Sequence, residues 1–146
     1  MNELDLLDIP SAKSIQKLQD AMLKLPQAQL ETKHYFADGM YCRELFRPAG
    51  CIIIGKVHKK EHFLIVASGT MRIWTEDGVK TVTGPFVLVS NPGTKRATYA
   101  VTDATCVTVH RTEFKELDDI ENDLVEFDPS GAYLPGNILK ELEHLT

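Results

Sequence analysis

The stretch Gly50–Gly69, which reads Gly-Cys-Ile-Ile-Ile-Gly-Lys-Val-His-Lys-Lys-Glu-His-Phe-Leu-Ile-Val-Ala-Ser-Gly, decides the fold. Two apolar runs, Cys51–Val57 and Phe63–Ala67, are typical of strands, and a short basic bend joins them. The three lysines within five residues, Lys56, Lys59 and Lys60, would be too costly to bury unpaired, so we expect a surface loop here. His58 and His62 are therefore predicted to lie where two strands meet a loop, a position that often carries function.

Strand-like runs continue on both sides of this stretch. A hairpin turn signal at Asp38-Gly39 separates strand-like stretches of period two at Leu30–Phe36 and Met40–Phe46. After Gly69, runs bounded by turn residues predict strands at Thr70–Thr75, Val79–Thr83, Phe86–Val89, Ala97–Val101 and Thr105–Arg111. Eight or nine short strands at hairpin spacing predict an antiparallel sandwich or barrel.

Helical spacing occurs only near the two ends of the chain. A helix is predicted from Ser11, which suits an N-cap, to Pro26, which ends it. Apolar residues at helical spacing from Phe114 to Leu124 predict a second helix, and Ile138–Leu145 indicates a short final one. We therefore divide the chain into a helical lead, a β-barrel and an acidic helical tail, at residues 1–28, 29–112 and 113–146.

The net charge of −5 conceals an uneven distribution. Residues 50–112 carry eight basic and four acidic side chains, a balance of +4. Residues 113–146 carry two basic and ten acidic ones, a balance of −8. A basic centre favours an anionic ligand, whereas the acidic whole argues against a general nucleic-acid-binding surface.

The composition also restricts the expected compartment. No apolar run approaches the ~20 residues of a membrane span, and the acidic N-terminus is not that of a signal peptide. The three cysteines, Cys42, Cys51 and Cys106, are odd in number and form no CxxC motif. We therefore expect reduced thiols and a cytoplasmic protein without membrane contact.

The spacing within Gly50–Gly69 resembles the first motif of the cupin superfamily, whose members are small jelly-roll barrels with an internal pocket. The family pattern is Gly, five residues, His-x-His, three or four residues, an acid, six residues and Gly. This chain has Lys56 in place of the first histidine, His58 in place of the second, and His62 in place of the acid. In the second motif, Arg96 stands where the fourth ligand belongs.

The resemblance implies a mainly β fold, a single jelly-roll (cupin) barrel with an N-terminal helix and short C-terminal helices. The overall layout is similar to that of small single-domain cupins encoded by tailed phages, which would place the protein in the host cytoplasm. Cupin-like barrels commonly pair through edge strands, so a homodimer is expected.

The resemblance also implies that Lys56, His58, His62 and Arg96 face one cavity. Two cations and two imidazoles suit an anionic small molecule with a phosphate or carboxylate group, such as a nucleotide. Lys95 would be a contact at the rim of that cavity, if it does not face solvent. Either histidine could act as a catalytic acid or base, so His58 and His62 are also the candidate catalytic residues.

A metal site is the first alternative. His58 and His62 supply two ligands, and His110 supplies a third if its side chain points inward, which the sequence leaves open. Such a site would hold Zn, Fe, Mn or Ni and would make the protein a cupin metalloenzyme. The second alternative is a structural or accessory protein whose barrel serves oligomerisation. His34 and His144 have no evident partner in the sequence and are interpreted as ordinary surface residues.

Overall fold

The computed structural model describes the barrel and the helix that follows it. The described residues are 17, 20, 30–75, 77–126, 133–134 and 138–139. Lys17 and Asp20 are helical, and the rest of the predicted N-terminal helix lies outside these ranges. None of the described helices is long and apolar enough to span a membrane.

The barrel consists of nine strands, as the alternation predicted. These are β1 (Thr32–Ala37), β2 (Met40–Arg47), β3 (Ile52–Ile54), β4 (His62–Ser68), β5 (Thr70–Thr75), β6 (Gly78–Thr83), β7 (Phe86–Ser90), β8 (Ala97–Ala100) and β9 (Ala104–Arg111). Helix α1 (Leu117–Leu124) follows, and then two short strands, β10 (Tyr133–Leu134) and β11 (Ile138–Leu139).

The nine strands form two antiparallel sheets. The first sheet has the order β1-β2-β9-β4-β7, and the second has the order β3-β8-β5-β6. Apart from the hairpins β1-β2 and β5-β6, neighbouring strands in each sheet are distant in sequence, as in a jelly roll. The predicted fold class, mainly β with a jelly-roll barrel, is therefore confirmed.

The inner faces of the two sheets pack against each other around an apolar core. Val66 of β4, Met71 and Ile73 of β5, and Cys106 of β9 are buried together in it. On each of these strands the intervening residues point outward, because successive side chains of a strand alternate between its faces. The core fills the middle of the barrel, with Arg47, hydrogen-bonded to Thr98, at one end and a histidine-rich polar group at the other.

That end is defined by the register of the first sheet. Tyr41, near the start of β2, is paired with His110, near the end of β9. The neighbouring residue Val109 is paired with Phe63, which follows His62 at the start of β4. His62, His110 and Tyr41 therefore lie at the same end of the barrel.

Helix α1, whose presence the apolar spacing predicted, packs against this end. Ile120 and Leu124 of the helix, with Val125 after it, are buried against Tyr41. The chain after the helix pairs with the basic bend, since the Lys59 amide donates to the Leu124 carbonyl at 2.7 Å. Val125 forms an isolated β-bridge with His58. The helix thus fixes the position of the histidine-bearing bend.

Two predicted elements are shorter or different. The run Cys51–Val57 is a strand only at Ile52–Ile54, because beyond this point the chain leaves β8 and pairs with the segment after α1. The predicted final helix is wrong at Ile138–Leu139, which pairs with Tyr133–Leu134 as an antiparallel ladder. Pro-Gly-Asn separates the two pairs, and this is a turn-forming sequence. Residues 140–146 lie outside the described residues.

Candidate metal centre

Three histidines come together at the polar end of the barrel. His58 is in the basic bend, His62 begins β4, and His110 is near the end of β9. One ring nitrogen from each lies within 4.8 Å of the others. The ring centroids are 4.2 Å apart for His58 and His62, 4.7 Å for His62 and His110, and 5.4 Å for His58 and His110. The question that the sequence left open is thus answered, because His110 faces inward.

Two of the rings are oriented by backbone carbonyls. The Nδ1 of His58 is 3.0 Å from the carbonyl oxygen of Lys56, and the Nδ1 of His62 is 3.3 Å from that of Lys60. Because a carbonyl only accepts, a hydrogen bond there requires the proton on Nδ1. This tautomer leaves the Nε2 lone pair of each ring available to a ligand.

The third ring is held by side chains. The Nε2 of His110 is 2.8 Å from the hydroxyl oxygen of Thr108, two residues earlier on the same face of β9. The hydroxyl can donate or accept, so this contact is compatible with either tautomer. The ring also stacks on Tyr41, with the centroids 5.9 Å apart. These contacts fix His110 beside the other two histidines.

All three imidazoles are neutral near pH 7. Burial, together with the charge interaction with neighbouring His62, lowers the pKa of His58 to about 3 and that of His110 to about 2. Burial is also the main cause of the lowered pKa of His62, which its hydrogen bond to the Lys60 carbonyl partly offsets. The positive charge of Arg43 also lowers the pKa of all three histidines. Neutral imidazole is the form that binds metal ions.

A polar network continues from the histidines along the inner face of β2. Tyr41 is fully buried, and its hydroxyl oxygen accepts a hydrogen bond from Arg43 Nε at 3.1 Å. The same hydroxyl lies 2.6 Å from Nδ1 of His34. Burial and the Arg43 charge lower the pKa of His34, which favours a neutral ring able to accept the tyrosine proton. The prediction that His34 has no partner is therefore wrong.

The carboxylate of Glu121 enters the same region from helix α1. It is 3.5 Å from the ammonium of Lys56 and 3.8 Å from the guanidinium of Arg43. Glu121 is 8% exposed, and its Oε2 has no hydrogen-bond partner. Lys56, predicted to line an anion pocket, thus has a carboxylate of this chain beside it.

Arg96 and Lys95, the other two predicted ligand residues, lie beside the histidines and in the protein interior respectively. Arg96 donates from Nη1 to the carbonyl of Trp74 at 3.2 Å, and its charge still lowers the pKa values of His58 and His62. Lys95 is buried, which excludes the predicted solvent-facing position. His144 lies outside the described residues.

Three further members of the site, Tyr41, Arg43 and Glu121, were not predicted. Tyr41 and Arg43 alternate on β2, which indicates a shared face but gives no sign that this face meets the histidines. Glu121 is one of many acidic residues in the tail, and its contact depends on how α1 docks. No short motif carries any of the three.

The chain matches no protein-family model and no curated protein sequence. Its fold is similar to that of a cupin superfamily protein from Desulfitobacterium hafniense, with a TM-score of 0.51 and 10% identity over 63% of this chain and 85% of that one. The cupin domain of Schizosaccharomyces pombe Cnp3 has a TM-score of 0.51 and 15% identity over 66% of this chain and 70% of that one.

A third comparison extends this likeness to part of a larger protein. The cupin-2 domain of an XRE family transcriptional regulator from Enterobacter cloacae has a TM-score of 0.51 and 10% identity, over 58% of this chain and 98% of that one. The chain therefore has a cupin fold, as the spacing of Gly50–Gly69 predicted. At such low identities the likeness concerns the fold alone.

Proposed function

We propose that this protein binds a divalent transition-metal ion through His58, His62 and His110. The observation that carries the proposal is the convergence of three neutral imidazoles, with one nitrogen of each within 4.8 Å of the others. Three protein ligands with an open position for water or substrate are typical of catalytic zinc sites. Imidazole ligands also suit Fe, Ni and Cu.

The surroundings of the histidines fit a metal ion. Backbone carbonyls at 3.0 and 3.3 Å orient the rings of His58 and His62 so that their Nε2 atoms are free. Metal-ligating histidines usually donate from their other ring nitrogen to a carbonyl or carboxylate in this way. Neutral imidazoles also bind a cation without first losing a proton, so binding near pH 7 carries no deprotonation cost.

A bound ion would supply a Lewis acid for polarising substrate oxygen or acidifying bound water. The chain's own residues would contribute charge and proton handling around it. Arg43 would stabilise negative charge close to the histidines. The Tyr41 hydroxyl, in contact with His34, would exchange a proton with that half-buried imidazole. His58 and His62 then act as ligands and not as the catalytic acid or base.

The first test is the metal content of the full chain. The untagged protein is purified without chelator, its metals are quantified, and zinc and nickel are titrated into chelator-treated samples. We expect near-stoichiometric binding in the parent and none in a His58→Ala/His62→Ala variant. His34→Gln serves as the control, because it removes a histidine outside the group of three. A parent that binds neither ion, or a double variant that binds as well as the parent, would refute the proposal.

A second candidate function is binding of an anionic small molecule at Lys56 and Arg43. The observation that favours it is the Glu121 carboxylate, which lies between these cations at distances longer than a strong charged hydrogen bond. Its Oε2 is buried without a hydrogen-bond partner. A small carboxylate or phosphate group would replace Glu121 and make the bonds that Glu121 does not make.

Chemical rescue tests this second candidate. Glu121→Ala leaves a carboxylate-sized space beside two cations, so added acetate should raise the melting temperature of this variant more than chloride at equal ionic strength. Glu116→Ala, in the exposed residue before α1, should respond to neither salt specifically. Equal responses to acetate and chloride in Glu121→Ala would contradict anion binding. The metal titration is independent of this measurement.

A further inference from the structure

Ser90, the last residue of β7, lies beside the three histidines. Strand β7 pairs with β4 in a register that places Ser90 directly opposite His62. Directly opposite residues of an antiparallel pair have their side chains on the same face, with Cβ atoms about 4.5–5.5 Å apart. Because the ring of His62 points inward and meets that of His110, the side chain of Ser90 points inward as well.

The burial pattern of β7 gives the same orientation independently. Val87 and Val89 are 57% and 48% exposed on the outer face of the sheet. Phe86 and Leu88, in the alternate positions, pack against the core. Ser90 continues the core-facing alternation and is 2% exposed. Its hydroxyl is therefore inside the barrel, at the end that carries the histidines.

The hydroxyl of Ser90 can donate one hydrogen bond and accept others. Its Oγ is buried and makes no hydrogen bond within the part of the chain that the structure describes. By contrast, the hydroxyl of Thr108 on the same inner face lies 2.8 Å from Nε2 of His110. A buried polar group without a partner destabilises the folded state, so this donor is best explained by a ligand that it binds.

We infer that Ser90 is a binding residue for a small carboxylate that takes the open position of the metal site. The inference rests on the proposed function, because this ligand would bind the ion held by the three histidines. One carboxylate oxygen would bind the ion, and the other would accept a hydrogen bond from the Ser90 hydroxyl.

The charge around the histidines favours an anion as this ligand. Three neutral imidazoles would cancel none of the charge of a divalent ion. Arg43 adds positive charge, which lowers the pKa values of His58 and His62. The Glu121 carboxylate already faces two cations, Lys56 and Arg43. A carboxylate ligand would therefore supply negative charge that the site lacks, and a hydroxyl donates strongly to such an acceptor.

The Ser90 position is separate from the cations proposed for anion binding without a metal. In the first sheet the order β2-β9-β4-β7 places His110 and His62 between Arg43 on β2 and Ser90 on β7. A carboxylate beside Ser90 is thus on the other side of the histidines from Arg43. The two sites can be tested independently.

Cobalt(II) tests this inference, because its visible absorption changes when an anion binds the ion. The full chain is loaded with cobalt, and acetate is titrated at constant ionic strength. We expect Ser90→Ala to raise the acetate dissociation constant about 10-fold or more and to leave cobalt affinity unchanged, since a hydrogen bond to a charged acceptor is lost. Ser68→Ala, the same change at an exposed serine of β4, is the matched control and should alter neither affinity.

Thermal unfolding of the metal-free protein gives a second readout. Ser90→Ala should not lower the melting temperature, because it removes a buried hydroxyl that has no partner among the described residues. A clear decrease would overturn the inference, since the hydroxyl would then have a structural role. Unchanged acetate binding in cobalt-loaded Ser90→Ala would also overturn it, while leaving the metal site intact. A parent that binds no cobalt would refute the metal site and this inference together.

Discussion

The two faces of the first sheet reverse the usual distribution of polar and apolar residues near the end that carries the histidines. The inner face holds His62, His110, Tyr41 and Arg43, whereas Phe63 and its neighbours on the outer face are apolar. Both sets come from the same strands, in alternating positions. Buried polar groups and exposed apolar patches are the informative exceptions to normal burial.

This comparison shows that each face has an unsatisfied requirement: the inner face has polar groups that could bind a ligand, and the outer face has apolar groups in contact with water. On the inner face the imidazoles are neutral, and each ring has a nitrogen lone pair that could bind a cation. On the outer face the side chains have no polar groups to satisfy and only need to be removed from water. A metal ion would complete the first face, whereas no bound cation would satisfy the second.

The largest expected effect is acid destabilisation of the metal-free protein. His58 and His110 have folded pKa values of about 3 and about 2, below the 6.5 of an unperturbed histidine. The unfolded chain therefore binds more protons as the pH falls below 6.5, and the folded state loses stability from there downward. At pH 5 the loss is about 2 kcal/mol for each histidine.

Urea unfolding between pH 8 and pH 4, in the presence of chelator, measures this dependence. Above about pH 7.5 both states hold these rings neutral, so the two histidines should contribute no slope there. His58→Gln/His110→Gln should flatten the curve below pH 6.5. A slope that this variant leaves unchanged would show that other groups cause it.

Substituting two adjacent residues of β4, one on each face, tests how differently the two faces contribute to the free energy of unfolding. Leu64 is 8% exposed and belongs to the core, whereas Phe63 is 47% exposed on the outer face. We expect Leu64→Ala to lower the free energy of unfolding by about 3 kcal/mol and Phe63→Ala by less than about 1 kcal/mol, under conditions where the chain is monomeric. Similar losses, measured by urea unfolding, would mean that the outer face is covered within one chain.

Adjacent residues of β9 provide the corresponding test for metal binding. His110 faces the other histidines, and Val109 faces outward. His110→Gln should weaken zinc binding at least about 100-fold, because it removes one of three ligands. Val109→Thr should leave zinc affinity unchanged in the same calorimetric titration. An unchanged affinity in His110→Gln would restrict the site to His58 and His62.

The smallest expected effect concerns the contact of α1 with the inner face. Glu121→Gln removes the carboxylate beside Lys56 and Arg43 and leaves both cations half-buried without it. We expect a loss of about 2 kcal/mol, less than the 3–5 kcal/mol of a fully buried pair, because both cations retain contact with water. Thermal unfolding at low and high salt would measure this loss, and Glu116→Gln should show almost none.

The strands could be predicted because their signals are local. Alternation of apolar and polar residues and the turn at Asp38-Gly39 depend on a few neighbouring positions, and the structure confirms nine strands close to the predicted ranges. Gly39 has the positive φ of 69° that such a turn requires. The prediction was wrong at Ile138–Leu139, where a short apolar run fits a strand as well as a helix.

The sequence alone determined the strands, a helix ending at Leu124 and the presence of His58 and His62 in one bend, because periodicity and short spacing encode them. Only the tertiary structure decided that His110 faces inward and that Tyr41, Arg43 and Glu121 surround the histidines. These contacts join residues far apart in the chain. They depend on strand register and on the docking of α1, and a one-residue change of register would turn His110 to the opposite face.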